Sequence, residues 1–423
     1  MLRGGRVLDP SSGHDEIADV RITGDTVTAI EKHVEPESRD LVIELDGMLV
    51  TPGLVDPHVH LREPGGEAKE TIATGAAAGA AGGFTTICAM PNTDPVVDTA
   101  ERVRRVIERG RSARMARVLP IGAATRASAG ETPTDARSLA AAGAVALSDD
   151  GQPIATAEML GRVLTSAARV GLAVADHCED LRLSLGGVVR AGQVADRLGV
   201  RGIPPEAESA GVERDLEVLA RVGGRLHLCH LSTAESVRLV REAKQAGLPV
   251  TAEACPHHLT LTVDCAETHG SIAKMNPPLA ETGDREALVE ALADGTIDCI
   301  ATDHAPHTEA EKARELGEAP FGVIGLETAF GVVYTELVER GAVALRTLLD
   351  RMTVGPARVF GLERGRIKVG APADVAVFDL EQEWKVEPEE FRSKARNTPW
   401  AGAMLRGQPK LTIVAGEIVF DGR

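Results

Sequence analysis

Two histidines, His58 and His60, lie one residue apart directly after an apolar run, in the stretch LVTPGLVDPHVHLREPG. Side chains alternate between the two faces of a β-strand, so residues i and i+2 point the same way. If the run is a strand, both imidazoles converge beyond its end. Convergent imidazole nitrogens are typical ligands of zinc and similar divalent ions. An isolated pair also fits two polar residues on a half-exposed strand, so other residues must decide.

Residues able to do chemistry follow most of the later apolar runs as well. In chain order these are Asn92, Asp149, Asp150, His177, His230 and Asp303. If the runs are parallel strands of one barrel, their carboxyl ends meet at the face where barrel enzymes carry their active sites. Packing alone explains such a set poorly, because a buried carboxylate without a partner costs free energy. A shared metal centre would provide that partner.

The residue types predict a centre with two divalent ions. His58 and His60, together with Asp303, can serve one ion, while His177 and His230 can serve the other. Such a pair of ions lowers the pKa of a bound water and polarises a carbonyl oxygen. Asp303 could accept the proton of that water and deliver it to a leaving nitrogen, as a general base and then acid.

The bridge between the two ions has two candidates, the adjacent residues Asp149 and Asp150. Asp150 ends the predicted strand GAVALSDD, so we expect its carboxylate to face the centre. Alternation along the strand would send the side chain of Asp149 the other way. The sequence therefore predicts Asp150 as the bridging ligand.

Eight short apolar runs alternate with helix candidates through the middle of the chain. The runs are GLVDPHVH, GFTTICAM, ARVLPIGA, GAVALSDD, GLAVADHC, RLHLCHLS, PVTAEACPHH and DCIATDHAP. The helix candidates span 67–81, 99–109, 156–169, 214–222, 234–246 and 285–293. This rhythm predicts an α/β fold with a (β/α)8 TIM barrel. A doubly wound open sheet is the alternative, but no G-x-G-x-x-G follows the first strand.

Both chain ends have a different pattern, in which turn residues separate short alternating strands. They predict one small β-sandwich domain built from the two ends. The expected boundaries are 1–50 and 355–423 for this domain and 51–354 for the catalytic barrel inserted in it.

Composition excludes several classes of partner. The chain of 423 residues has 63 acidic and 46 basic residues, a formal net charge of −17, and only 2% aromatics. Nucleic-acid binding needs a basic face or stacking aromatics, so it is not expected. The six cysteines form no C-x-x-C pair, and we find neither a signal peptide nor a membrane-spanning run. The sequence thus predicts a cytoplasmic protein without a membrane partner.

The chain resembles the dihydroorotases of the amidohydrolase superfamily over essentially its full length. The closest likeness is to the bacterial type I enzymes, where an aspartate replaces the carbamylated lysine that bridges the metals in most relatives. The resemblance rests on the ordered segments DPHVHLREPG, MPNTDP, SDDG, HCED, HLST, PHHL, KMNPPL, DGTIDCIATDHAPHT and GLET.

The resemblance implies a full set of site residues. The implied metal ligands are His58, His60, Asp150, His177, His230 and Asp303. The implied substrate contacts are His60, Arg62, Asn92, Asn276 and His307, with Phe321 and Gly322 lining the pocket. Asp303 would also be the catalytic acid and base. The implied reaction is the reversible cyclisation of N-carbamoyl-L-aspartate to L-dihydroorotate plus water in pyrimidine biosynthesis, with two zinc ions per subunit.

Arg62 supports an anionic substrate independently of the resemblance. A guanidinium is a fork donor suited to a carboxylate, and Arg62 lies two residues beyond a predicted ligand. Its alternative is a surface salt bridge. The resemblance also implies a homo-oligomer and a complex with aspartate transcarbamoylase. His257 and His258 receive no role, and Ala280 replaces a usual arginine.

Two other functions compete with this prediction. One is a different cyclic amidase, a hydantoinase or allantoinase, but these rely on a bridging lysine and the chain has none between Lys69 and Lys244. The other is a catalytically silent scaffold subunit for aspartate transcarbamoylase. Silent relatives lack metal ligands, whereas all six predicted ligands are present here.

Overall fold

The structure, a computed structural model, describes residues 1–38 and 40–423. Eight of its strands form one mixed sheet. In chain order they are Leu2–Asp9, His14–Thr23, Thr26–Glu31, Ile43–Glu44, Leu49–Pro52, Val375–Asp379, Gln408–Val414 and Glu417–Asp421. Val375–Asp379 pairs antiparallel with Leu49–Pro52, which in turn pairs parallel with Leu2–Asp9. The two ends of the chain therefore share one sheet.

The strands between these ends run parallel to one another. They are Leu54–Val59, Phe84–Ala89, Arg117–Pro120, Gly122–Ala123, Ala146–Ser148, Ala173–Asp176, Leu226–Leu228, Val250–Ala254 and Cys299–Ile300. Successive strands pair in parallel, and Ile121 separates two segments of a single strand. Beyond the last strand, a parallel bridge pairs His304 with Val59, and the His60 amide donates to the His304 carbonyl at 2.9 Å.

Two small sheets stand apart from these strands. One pairs Val189–Arg190 in parallel with Gly202–Ile203, and the other pairs Trp384–Lys385 antiparallel with Met404–Leu405. The first lies in the connection that borders the cavity described below, and the second lies in the C-terminal part of the chain.

Helices connect the parallel strands. The α-helices are Ile72–Ala81, Ala100–Ala113, Ala136–Ala142, Ala157–Ala168, Leu181–Ser184, Gln193–Leu198, Glu206–Val222, Ala234–Gln245, Pro256–Thr260, Cys265–His269, Thr282–Asp294, Glu309–Lys312, Ala329–Val333, Leu345–Met352 and Val354–Phe360. Five begin after a threonine whose side-chain oxygen accepts from the amide three residues on. These caps are Thr71, Thr99, Thr156, Thr233 and Thr308. Each cap pairs an amide that has no partner within the helix.

All six predicted helices occur, with shifted ends. The predicted helix 67–81 begins only at Ile72, because Thr71 is its N-terminal cap. Glu206–Val222 begins eight residues before its predicted start, since its first turns lack the apolar periodicity that marks the rest. Ala136–Ala142 was not predicted, because seven residues are too short to display a helical period.

A continuous core joins the terminal sheet to the parallel strands. The ring of Phe378, in the terminal sheet, stacks on Phe330 of the helix Ala329–Val333 with centroids 3.9 Å apart. Both rings are fully buried in the cluster that also holds Phe84 of a parallel strand. None of the described helices is both long and apolar enough to cross a membrane.

Candidate metal centre and substrate pocket

A cavity of about 500 Å³ opens at the carboxyl ends of the parallel strands. Ten of the predicted site residues line it. They are His60, Arg62, Asn92, Asp150, His177, His230, Asn276, Asp303, Phe321 and Gly322. The other two predicted residues, His58 and His307, are buried immediately behind this wall.

His58, His60 and Asp303 form the first group of candidate ligands. His60 Nε2 lies 3.0 Å from Asp303 Oδ1 and 3.3 Å from His58 Nε2. The strand Leu54–Val59 ends between the two histidines, and their rings converge as alternation along a strand predicts.

Asp150 lies between this first group and a second one formed by His177 and His230. His177 Nδ1 lies 3.0 Å from His230 Nε2. Asp150 Oδ1 is 3.2 Å from His230 Nε2, while its Oδ2 is 3.2 Å from His58 Nε2 and 3.3 Å from His60 Nε2. Each oxygen of one carboxylate thus faces a different group, as a bridging ligand requires.

The chemistry of this donor set fits divalent metal ions. Neutral imidazoles and carboxylates together are typical ligands of zinc and related ions. The closest donor atoms lie 3.0–3.3 Å apart. A tetrahedral site with bonds of about 2.1 Å has edges of about 3.4 Å, so the spacing is close to that of a coordination shell.

His58 is held in place by a glutamate that sequence analysis missed. His58 Nδ1 donates to Glu253 Oε1 at 2.7 Å, and the other carboxylate oxygen accepts from His227 Nε2 at 3.0 Å. The His230 amide also donates to Glu253 at 3.2 Å. Metal-binding histidines usually donate their second N–H in this way, which fixes the ring and its tautomer. The available signal was a glutamate inside an otherwise apolar strand.

The rings of His60 and His177 are oriented by hydrogen bonds from the cavity side. His60 Nδ1 donates to Asn92 Oδ1 at 2.9 Å, and His177 Nε2 donates to Glu179 Oε2 at 3.1 Å. Glu179 also accepts from Asn276 Nδ2 at 3.2 Å. It was quoted in the HCED segment but given no role, and it ties a candidate ligand to a candidate substrate contact.

In this centre, attraction between oppositely charged side chains shifts their pKa values more than burial does. Burial raises the pKa of Asp150, but the charge of His58 and hydrogen bonds from His177 and His230 hold it well below the usual value. Burial lowers the pKa of His177, yet hydrogen bonds to Asp150 and Glu179 raise it to about 10. The centre therefore attracts positive charge, which a metal ion can supply in place of bound protons.

Three candidate site residues adopt left-handed backbone conformations. Arg62, His230 and Asp303 have φ of 60°, 35° and 46°. For residues with a side chain such conformations cost on the order of 1–3 kcal/mol and concentrate at functional sites. Each lies just beyond a strand end and turns the chain at the cavity.

The structure separates the two aspartates that the sequence placed side by side. Asp149 accepts hydrogen bonds from the Thr125 amide at 3.0 Å and from the Thr125 hydroxyl. It thus secures a neighbouring loop, whereas Asp150 faces the histidines. Alternation along the strand predicted this difference.

Arg62 is a half-buried cation on the cavity wall. Its Nε donates to the Pro306 carbonyl at 3.2 Å, and its Nη2 lies 3.4 Å from His307 Nε2. Among the described residues, no carboxylate lies within salt-bridge distance of this guanidinium. His307 donates to the Phe321 carbonyl at 2.8 Å, so its ring supports the wall of the cavity.

Gly322 completes this wall because no larger residue fits there. Its φ is 129°, and a Cβ would lie 2.8 Å from Ala305 Cβ. His257 and His258 are buried and do not line the cavity. His258 Nε2 donates to the Pro277 carbonyl at 2.9 Å, and burial lowers its pKa to about 4.

Comparison with known proteins assigns this arrangement to one family. Residues 47–236 match the family described as Dihydro-orotase-like. The dihydroorotase of Anaeromyxobacter dehalogenans is 50% identical over all 423 residues and 98% of its own length. The dihydroorotase of Bacillus caldolyticus is 49% identical over 95% of this chain and 94% of its own. That of Pelotomaculum thermopropionicum is 47% identical over 100% of this chain and 99% of its own.

Solved structures of related enzymes share the fold. A dihydropyrimidinase from Brevibacillus agri aligns with a TM-score of 0.87 at 25% identity, covering 100% of this chain and 95% of that one. An L-hydantoinase from Arthrobacter aurescens aligns with a TM-score of 0.88 at 25% identity, covering 100% and 96%.

Proposed function

This chain belongs to the dihydroorotase family, and we infer that it interconverts N-carbamoyl-L-aspartate with L-dihydroorotate plus water. It is a metal-dependent hydrolase of cyclic amides, and its substrate is a small molecule. The reaction belongs to pyrimidine biosynthesis.

We propose that the centre holds two zinc ions. This proposal is supported by the six buried side chains that offer nitrogen and oxygen donors. One of their carboxylates faces both groups of candidate ligands. Zinc held there would lower the pKa of a water molecule and polarise the amide carbonyl. The ligands would be His58, His60 and Asp303 on one side and His177 and His230 on the other, with Asp150 between them.

Asp303 is the proposed acid and base. Burial raises the pKa of this carboxyl, but His60 and His58 hold it below its ordinary value, so it is ionised at neutral pH. An ionised carboxylate on the cavity wall can take a proton from the attacking water and deliver it to the leaving nitrogen as the ring opens. By microscopic reversibility, ring closure runs the same two proton transfers in reverse.

The position of Arg62 is the observation that best supports dihydroorotate as the substrate. Dihydroorotate differs from dihydrouracil by one carboxylate on the ring. A chain with a net charge of −17 offers no general attraction for that anion, so a local cation must bind it. Arg62 is half-buried on the pocket wall and pairs with a backbone oxygen instead of a carboxylate, so its charge is available to the substrate.

Steady-state kinetics of Arg62→Ala on the two rings tests this proposal. Hydrogen bonds to a charged group contribute roughly 1.5–3 kcal/mol each. We therefore expect kcat/KM for dihydroorotate to fall about 10²-fold or more, with little change for dihydrouracil and in metal content. Arg62→Lys should recover part of the loss, because an ammonium cannot form the planar fork. Equal losses on both rings would contradict the proposal.

The structural likeness to hydantoinases favours a second candidate, a cyclic amidase that accepts rings without the carboxylate. The sequence SDD at the fourth strand end opposes it, since those relatives need a lysine there. Wild-type turnover of dihydrouracil or hydantoin at rates comparable with dihydroorotate would favour this alternative.

We further propose a closed (β/α)8 barrel at 51–354 and a β-sandwich from 1–50 and 355–423. The contact of His304 with Val59 and the structural neighbours support this architecture. Six cysteines without disulfide partners support a cytoplasmic location. A homo-oligomer, alone or with aspartate transcarbamoylase, is proposed from the resemblance and can be measured by light scattering.

A further inference from the structure

Asn397, near the C-terminus, forms hydrogen bonds to both backbone segments that build the substrate side of the pocket. Its Nδ2 donates to the carbonyls of Ala305 and Gly322, each at 3.1 Å. Its Oδ1 accepts from the His307 amide at 3.2 Å. The Asn397 carbonyl also accepts from the Ile324 amide at 3.0 Å.

These bonds join two segments that are distant in sequence. Ala305 and His307 follow the candidate ligand Asp303, whereas Gly322 follows a surface connection that returns to the pocket. The His307 ring donates to the Phe321 carbonyl and lies beside the Arg62 guanidinium. The side chain that aligns the two segments thus also holds the backbone of His307, whose ring lies beside Arg62.

Asn397 is itself anchored to the central part of the chain. Two residues of the same segment form hydrogen bonds with glutamates there. Glu70 accepts from the Lys394 amide at 3.2 Å, and Glu327 accepts from the Ser393 amide at 3.0 Å. Asn397 is 3% exposed and does not line the cavity, so it cannot touch substrate.

An asparagine fits this position because of its bonding groups. Its side chain offers two donors and an acceptor, which match two carbonyls and one amide. Alanine would leave these three buried backbone groups without a partner, and each such loss is costly. Aspartate would keep the acceptor but turn an oxygen toward the two carbonyls. Either change should loosen the alignment of the two segments.

We propose that Asn397 is a positioning residue for recognition of the substrate carboxylate. It acts through His307 and Gly322 on the pocket around Arg62. This inference rests on the proposed function, because it assigns that pocket to the ring carboxylate. It also makes the C-terminal segment part of the specificity of the catalytic site.

The test compares Asn397→Ala and Asn397→Asp with wild type on dihydroorotate and dihydrouracil. We expect KM for dihydroorotate to rise about tenfold or more, given the loss of two or three buried hydrogen bonds. The kcat, the metal content and kcat/KM for dihydrouracil should stay near wild type. Thr398→Ala is the matched control, since Thr398 is equally buried and its hydroxyl bonds only within the segment. If the alanine variant does not fold, the aspartate variant, which keeps the shape, supplies the answer.

A double-mutant cycle with Arg62→Ala separates positioning from general loosening. If Asn397 acts on the carboxylate pocket, the double variant should be hardly worse than Arg62→Ala alone. Additive losses of kcat/KM in the double variant, or equal losses on both substrates, would overturn this inference. Neither outcome would contradict the proposed dihydroorotase function. Absence of dihydroorotate turnover by the wild-type holoenzyme would instead contradict the proposed function.

Discussion

Asp150 and Asp149 provide a matched pair for testing the bridge. The Asp150 oxygens face both groups of candidate ligands, and those of Asp149 bond to Thr125. We predict that Asp150→Ala loses at least one metal ion per chain and nearly all turnover, because both groups lose a shared ligand. Asp149→Ala should keep its metal and lose only stability. Metal counting on the two purified variants checks this, and the reverse pattern would identify Asp149 as the bridge.

Asp303→Asn tests the proton transfer. The substitution keeps the shape of the side chain and a coordinating oxygen but removes its ability to hold a proton. We expect ring opening and ring closure to slow together by about 10²-fold or more, because the same group serves both directions. The test measures the rate of ring opening from dihydroorotate and of ring closure from carbamoyl aspartate, with metal content as the control. A variant impaired in only one direction would contradict this role.

Sequence analysis found the residues that converge at the candidate metal centre and missed those that hold them in place. His58 and Asp303 stand at strand ends, where fold and residue type together indicate chemistry. Glu253 carries only a weak signal, its position in a mostly apolar strand, and Asn397 carries none, because the partners of both are backbone or ring atoms far away in sequence. Their roles follow only from the folded contacts. The same limit applies to Glu179, which belongs to the HCED segment but whose contacts could not be predicted from the sequence.

At the scale of elements, the connection before Phe321 depends on a buried lysine. Lys312 Nζ donates to the Pro320 carbonyl at 3.0 Å and to the Lys274 carbonyl at 3.3 Å. Burial, with the nearby charge of Lys274, lowers the pKa of Lys312 from 10.5 to about 7. The unfolded chain therefore binds one more proton than the folded protein between these values. Stability contributed by this group is smallest below pH 7 and rises toward pH 10.5.

We predict that Lys312→Met removes this pH dependence. In wild type the group adds at most about 1.4 kcal/mol per pH unit to the free energy of unfolding across that window. Urea unfolding at pH 7.5, 8.5 and 9.5 should show a smaller rise for the variant. The exposed Lys32, replaced by methionine, is the control and should leave the rise unchanged. An identical slope in Lys312→Met and wild type would contradict the assignment.

Helices and strands were predictable where apolar residues recur at a regular spacing along the whole element. The strand runs and the long helices were found because the spacing of apolar residues marks them. Short elements at the pocket, such as Leu181–Ser184, depend on contacts with other segments and have no period to detect. Helix ends shifted by several residues for the same reason.

At the scale of the whole molecule, the C-terminal part and the parallel strands share buried contacts. Phe378 stacks on Phe330, and Trp400 belongs to a buried cluster with Val332 of the helix that carries Phe330. Glu70 and Glu327 add hydrogen bonds to the segment around Ser393. Separating the two parts would expose these groups together, so we expect a single cooperative unit.

Two natural probes can test this prediction. Both tryptophans, Trp384 and Trp400, lie in the C-terminal part, whereas Cys88, Cys178 and Cys299 are buried among the parallel strands and their connections. Urea titration should give the same midpoint for tryptophan fluorescence and for labelling of these thiols by a short alkylation pulse. The thiol of the half-buried Cys265 could be labelled in the native protein, so this residue is replaced by serine in the protein used for the titration.

Coincident midpoints would mean that the sheet and the catalytic part fold as one unit, as their common core requires. If fluorescence changed at lower urea than thiol labelling, the C-terminal part would detach first. The pocket would then lose Asn397 before its ligands separate, and dihydroorotate turnover should fall with fluorescence, ahead of thiol exposure. Activity measured along the same titration therefore decides whether specificity and fold are lost together or in sequence.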